Sequence, residues 1–458
     1  MSSVNWNRDA AAHLLRRAGF GGTPAEVDAL AARGLDGAVS QLVDYGTIDM
    51  TAFEAALAAK NYNLLTTRGL QQWFLDRMSN SPRPLEEKMT YFWNLHWTSG
   101  ISKVRGATLM LNQNKTQRQY AVGKFDDLVT RMSQDPAMLV WLDNWLNRAS
   151  RPNENYAREL LELFALGIGN YTQTDVTQVS RALTGWSLQG YSNADNYNGA
   201  TFVDNPAIHD NGAKTILGQT GPWSGADAIS IILNRTDARG SVSGRFIGGK
   251  LWSFFVYDAP PDFIVDQLAS VWTASGRVVR EVLRAMFSSP EFYEAHARKT
   301  WVRSPVEYSV ASVRMLEGAS DFSSPAASLA GMAQSLFDPA DAKGWDWGLS
   351  WMNTGTLFNR ATYTNSLASN RGQTGTRFDP NKILQGRDAS TADKVVDIVA
   401  DRLNVSDVSA SVRQAWIDYM NTNDAGQRVA WTNTAANIDK KVRGLVHLML
   451  TSPAFHFA

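Results

Sequence analysis

The chain has no cysteine. Disulfides, thiolate metal sites and a cysteine nucleophile are therefore excluded, and the redox compartment stays open, because a cysteine-free chain can reside in either. Neither charge is in excess: 44 basic and 44 acidic residues give a formal charge of zero. With no basic run, the chain offers no electrostatic footprint for nucleic acid or an anionic membrane surface. No run of about 18 apolar residues is present, so no membrane span is expected. The stretch from Met1 to Asp9 lacks the charged and apolar regions of an export signal, so export would require a leader trimmed ahead of Met1. Also missing are a Gly-x-Ser-x-Gly elbow, a Walker loop, a His-Glu-x-x-His helix and a dinucleotide fingerprint.

What the chain does have is tryptophan, 16 residues of it. Indole rings bury a large area but carry an N–H that needs a partner, so they suit both interior packing and the edges of clefts, where flat sugar faces stack well.

Helical periodicity dominates the pattern and predicts an all-α protein, large and two-lobed, with two loop-rich excursions and room for one short β-hairpin. "RDAAAHLLRRAGFG" places Ala11, Leu14, Leu15 and Ala18 on one face. In "TPAEVDALAARG" Thr23 is the expected N-cap, Pro24 the first helical residue and Glu26 the partner in a capping box, with Gly34 closing the helix. Pro136 after Asp135 starts a new helix. At 458 residues the chain exceeds one ordinary core. The expected division is an N-terminal helical lobe over 1–186, a loop-rich excursion over 187–225 and a C-terminal helical lobe over 226–458. A second irregular stretch is expected from Asp338 to Arg377. One internal echo pairs "VREVLRAMFSSPEF" with "VRGLVHLMLTSPAF", two helices closed by Ser-Pro.

The segments "HLLRRAGFGGTPAEV", "EKMTYFWNLHW", "DPAMLVWLDN", "PNENYARELLELFALGIGNYTQTDV", "ALTGW", "RFIGGKLWSFFV" and "KGWDWGLSWMNTGTLFNR" occur in this order. Together they resemble the bacterial domain-of-unknown-function family 1800 over nearly the whole chain. The resemblance implies a large helical protein, often exported and often encoded beside a second exported protein, without a settled reaction. Where members commonly read FWHNHF, this chain has Phe92-Trp93-Asn94-Leu95-His96-Trp97. Asn94 thus replaces the first histidine of a His-x-His pair and weakens a metal reading.

The segment from Arg151 to Leu166 is predicted to be a central amphipathic helix on which the first helices pack through Leu14, Leu15, Leu30 and Leu42. Ala157, Leu160, Leu161 and Phe164 share one face; Asn155, Glu159 and Glu162 fall nearly opposite, and Arg158 can pair with Glu154 or Glu162. A solvated face, a polar network between lobes and an active site all fit this pattern. The functional reading is a carbohydrate-active enzyme, a hydrolase or lyase on a polysaccharide or cell-envelope glycan. Its candidate catalytic groups are Glu162, Glu159, Asp143 and His209. Asn153, Asn155, Arg158, Trp186, Trp97 and Asp210 are the candidate substrate contacts. Glu159 and Glu162 stand too close on one helix to flank a glycosidic bond, so Asp143 or Asp210 would have to face them. No cofactor is implied. The alternatives are a divalent-metal enzyme using His96, Glu159, Glu162 and His209, and a non-catalytic assembly or glycan-binding protein.

Overall fold

The computed structural model describes residues 4–458. Most of that length is helix, and the strands form only three two-stranded antiparallel pairs. A core of buried apolar side chains runs from Ala10 in the first helix to Ala458.

Local sequence signals set the opening. Thr23 accepts from the Glu26 amide while the Glu26 carboxylate accepts from the Thr23 amide, closing the capping box at the start of Pro24–Ala31. Gly34, at φ +70°, turns the chain into Gly34–Val43. Leu14, Leu15, Leu30 and Leu42 are all buried, but the expectation that they pack on the acidic helix is corrected. The first helices pack chiefly on one another, and also on Pro84–His96 and Val279–Phe287. Pro84–His96 is buried on every side, as its aromatic content demands.

The two echoing segments take the same local form. Val279–Phe287 leads into Pro290–Tyr293, and Arg443–Leu450 leads into Pro453–His456. In both, the serine before the proline sits in extended backbone and the proline opens the short helix.

The first irregular stretch carries two hairpins where one was expected: Trp186–Gln189 with Thr201–Asp204, and Lys214–Ile216 with Gln219–Gly221. In the second, the backbone is irregular as far as Asn353 and again from Asn370. Asn353 caps a 16-residue helix, Thr354–Ser369. Its threonines and asparagines have low helix propensity and hide the pattern, yet Thr356, Arg360, Tyr363, Thr364 and Leu367 form one buried stripe, and that burial decides the conformation.

One long helix, Val242–Phe255, lines the cleft described next. Val242–Phe255 and Asp262–Ala274 approach closely because Gly244 and Gly248 face the second helix. A methyl group at Gly244 would lie 2.8 Å from the Trp272 ring. At the end of the first of these helices, Arg17 donates through Nε to the Phe255 carbonyl at 2.8 Å and through Nη2 to the Phe254 carbonyl at 2.9 Å. A buried cation thereby satisfies terminal carbonyls and complements the helix dipole. Among the described residues no helix is long and apolar enough to cross a membrane.

Candidate active site

The acidic helix begins as an α-helix at Asn155–Glu159 and widens into a π-helical turn over Leu160–Ala165. Ala157, Leu160, Leu161 and Phe164 are fully buried, as the spacing predicts, and so is Tyr156. The wide turn alters the hydrogen bonding at the helix end. The amides of Leu166 and Gly167 both donate to the Leu161 carbonyl, and the carbonyls of Leu163 and Phe164 bond to side chains from elsewhere. Gly167, at φ +82°, completes the end; a methyl there would meet the Phe246 ring at 2.8 Å. Wide turns of this kind recur at functional sites.

Those two carbonyls are taken by Lys250 and His96. Lys250 Nζ donates to the Leu163 oxygen at 3.1 Å, and His96 Nε2 lies 3.1 Å from the Phe164 oxygen. A carbonyl only accepts, so His96 carries its proton on Nε2. Its Nδ1 lone pair then accepts from Lys250 Nζ, also at 3.1 Å. Burial, followed by the charge of Lys250, pushes His96 well below its ordinary value, which keeps the ring neutral. Lys250 is half-buried and lines the cleft. Among the described residues no carboxylate pairs with it, and desolvation lowers it to about 8.

His96, Lys250 and Glu162 line one cleft of about 1120 Å³. Glu162 accepts from the Tyr171 hydroxyl at 2.5 Å. Burial and this carboxylate together raise the phenol to about 12, so Tyr171 stays protonated. Arg245, also in the cleft, bonds to Asp237 through Nη2, while its buried Nη1 has no partner among the described residues. Trp301, Trp345 and Trp347 supply the aromatic wall, with the Trp301 and Trp347 rings 5.7 Å apart and edge to face. Ile168 and Leu349 form an exposed apolar lip.

The wall has a rigid backing. Arg17 lies 5.2 Å over the Trp301 ring, and the Trp301 indole donates to Glu307 at 3.2 Å. Glu307 is ion-paired with buried Lys88 and accepts from the Ser304 amide at 2.9 Å. Burial would raise the Glu307 carboxyl, but Lys88, the Ser304 amide and Arg17 together outweigh it and hold the group well below the usual carboxylate range.

The other anticipated groups are placed elsewhere. Glu159, one turn before Glu162, is half-buried but does not line the cleft; burial and then Glu162 raise its pKa. Asp143 pairs with Lys103 at 2.9 Å, and Asp210 takes a two-pronged contact from Arg181 at 2.7 and 3.2 Å. His209 Nδ1 bonds to the Thr184 carbonyl at 2.7 Å. None of the three lines the cleft, so neither aspartate faces Glu162 across it. Trp97 is wholly buried, its ring centre 4.2 Å from that of Phe164, and Trp186 packs beneath Phe202. Neither indole presents a face to a ligand.

Asn153 and Asn155 shape the entry to the helix, the Asn153 side chain accepting from the Asn155 amide at 3.0 Å. Arg158 joins Glu154 and Gln173, not Glu162. With both His96 nitrogens engaged, the ligand set of His96, Glu159, Glu162 and His209 is not assembled. Among the described residues no group of three or more histidines and carboxylates is placed to hold a metal.

Lys250, Arg245, Tyr171 and the three cleft tryptophans were not singled out from the sequence. A signal existed: Phe246, Gly249, Lys250 and Ser253 recur at helical spacing in an otherwise apolar run, and all four line the cleft. A lone lysine on such a face has no partner within its own helix.

A family model described as "Protein of unknown function (DUF1800)" matches residues 13–457. No curated protein and no solved structure matches the chain.

Proposed function

This chain belongs to the DUF1800 family of proteins of unknown function, and from its cleft we propose a carbohydrate-active enzyme, a lyase that cleaves an acidic polysaccharide or cell-envelope glycan by β-elimination. The observation that carries the reading is Lys250, an amine without a carboxylate partner, at about 8 and held by His96 in a tryptophan-lined cleft. A base of that strength suits removal of a proton from carbon near neutral pH. In this reaction Lys250 takes the proton from the carbon next to the sugar carboxylate. The released electron pair forms the carbon–carbon double bond as the glycosidic carbon–oxygen bond breaks. The Lys250 ammonium then returns its proton to the leaving oxygen. The Arg245 guanidinium, in the lining of the same cleft, neutralises the sugar carboxylate, which acidifies the carbon. Glu162, fixed by Tyr171, accepts from a sugar hydroxyl, and the indoles stack on ring faces.

Hydrolysis is the second reading, since Asp258 and Asp346 line the same cleft as Glu162. It needs two carboxyl groups across the bond, roughly 5 to 9.5 Å apart. Incubation with a panel of uronate-containing glycans separates the readings. Ultraviolet absorbance from an unsaturated product supports elimination, and new reducing ends without that absorbance support hydrolysis. Binding without any product leaves the assembly or glycan-binding reading.

A further inference from the structure

A second pocket, of about 490 Å³, lies where the first helix meets the segment around Arg298 and the end of Ala392–Leu403. Arg16 lines it. This arginine is only 6% exposed, its Nε is buried without a partner, and it makes no hydrogen bond or ion pair among the described residues. Its Nη1 and Nη2 are not closed off in this way, so an otherwise desolvated guanidinium presents two donors without a partner among the described residues to the pocket.

The charges around Arg16 define what that is. Arg298 and Lys299 line the same pocket, and Arg303 adds positive charge from behind. Arg298 spends only Nε internally, on the Tyr293 carbonyl at 2.9 Å. Three carboxylates also face the pocket. Asp401 is matched by Arg8 at 2.7 Å and Arg387 at 3.4 Å. Asp407 is almost fully exposed and lies 3.7 Å from Lys299. Asp9, on the exposed side of its helix, attracts Arg16 but forms no ion pair with it. Asn404 and Ser406 add neutral hydrogen-bonding groups.

We propose that this pocket binds a phosphate-type oxyanion, with Arg16 as its buried anchor and Arg298 and Lys299 at its rim. A tetrahedral dianion offers enough acceptors for the guanidinium fork and a second cation. The volume exceeds a bare oxyanion, so the pocket also admits a phosphate monoester. The site shares no residue with the cleft and stands independently of the function proposed for it.

The test is thermal unfolding and calorimetric titration of the full chain with inorganic phosphate, and separately with glycerol phosphate, against chloride at matched ionic strength. Phosphate also stabilises proteins non-specifically, so the readout is the difference between variants. The expected result is a saturable rise in midpoint that Arg16→Met abolishes, with the variant unfolding no earlier than the native chain when phosphate is absent. Arg298→Ala, outside the buried layer, should fold normally and weaken phosphate binding about tenfold. Tighter binding of glycerol phosphate marks the monoester as ligand, and equal binding marks the free anion. A rise of the same size in both variants, or no saturable binding in the native chain, overturns the proposal.

Discussion

Lys250 Nζ lies 3.1 Å from His96 Nδ1 and 3.1 Å from the Leu163 carbonyl oxygen, so the amine of the cleft is held by two neutral acceptors. Both acceptors depend on the wide turn over Leu160–Ala165 and on the burial of His96. The helix bearing Glu162 therefore also positions the base, and one irregularity of backbone joins the acidic and basic halves of the site.

Lys250→Met should abolish turnover while stabilising the fold near neutral pH. The folded amine titrates at about 8, below its ordinary value of 10.5. The unfolded chain binds more protons between these values, so native stability rises with pH across that window and is lowest below about pH 8. Methionine removes this dependence. With two acceptors left without a donor at either pH, the variant should gain about 1–2 kcal/mol at pH 7 and lose about 1–2 kcal/mol above pH 10.5, where the native amine is neutral and still donates. Urea unfolding of both proteins at pH 7 and in strong alkali checks the sign; a variant less stable at pH 7 refutes it.

The two glutamates of the acidic helix should part company. Glu162→Gln replaces a carboxylate that accepts from Tyr171 and faces the cleft. Activity should disappear, with a stability change within about 1 kcal/mol. Glu159→Gln should keep activity and leave stability equal or slightly higher at neutral pH, because burial and Glu162 already disfavour its charge. Product formation and denaturation midpoints for the two variants, measured side by side, give the answer; equal activity loss in both would contradict it.

The buried ion network on the far side of Pro84–His96 makes a contrasting case. Glu87 is fully buried between Arg77, at 2.9 Å, and Arg118, at 2.9 to 3.1 Å. Burial would raise its pKa, but the two arginines outweigh it and the carboxyl is lowered. Its contribution is thus present above pH 4.5 and is lost as pH falls through the folded value. Glu87→Gln leaves half-buried Arg118 without a carboxylate and Arg77 with Glu54 alone, and should cost about 3 kcal/mol. Guanidinium unfolding at pH 7 measures it, and a loss below about 1 kcal/mol would show that water already screens the network.

What the sequence made legible, and what it hid, follows from range. The capping box at Thr23, the restart at Pro136 and the buried face of Ala157, Leu160, Leu161 and Phe164 are consequences of neighbours within one turn, and all are found where the pattern puts them. Glu162 and His96 were named from the sequence and line one cleft. Lys250 was not, because its meaning comes from a carbonyl 87 residues away and from His96, 154 residues away. Asp143, His209 and Asp210 looked chemically apt in the same way that any polar cluster does. Their partners, Lys103, Thr184 and Arg181, lie 25 to 40 residues off and turn each into local structure. A pattern with period 3.6 cannot register such pairings.

Asp135 supplies the last prediction, and the sequence alone would have given it the wrong sign. As the N-cap of Pro136–Trp141 it accepts from the Met138 amide at 2.9 Å and from Gln113 Nε2 at 2.8 Å, contacts that ordinarily favour the ionised form. Here burial dominates them and pushes the carboxyl up to about 7. Between its ordinary value of 3.8 and that point, the unfolded chain has lost its proton and the folded chain has not. The stability this group contributes is accordingly complete below pH 3.8 and declines as pH rises through 7. Asparagine keeps the Oδ1 acceptor for both donors and cannot ionise. Asp135→Asn should therefore match the native chain near pH 4 and exceed it at pH 8, by at most about 4 kcal/mol. Denaturant midpoints at the two pH values decide the matter. If the variant loses ground as pH rises, Asp135 works as an ordinary ionised cap and its burial is less dry than the packing around Gln113 and Met138 implies.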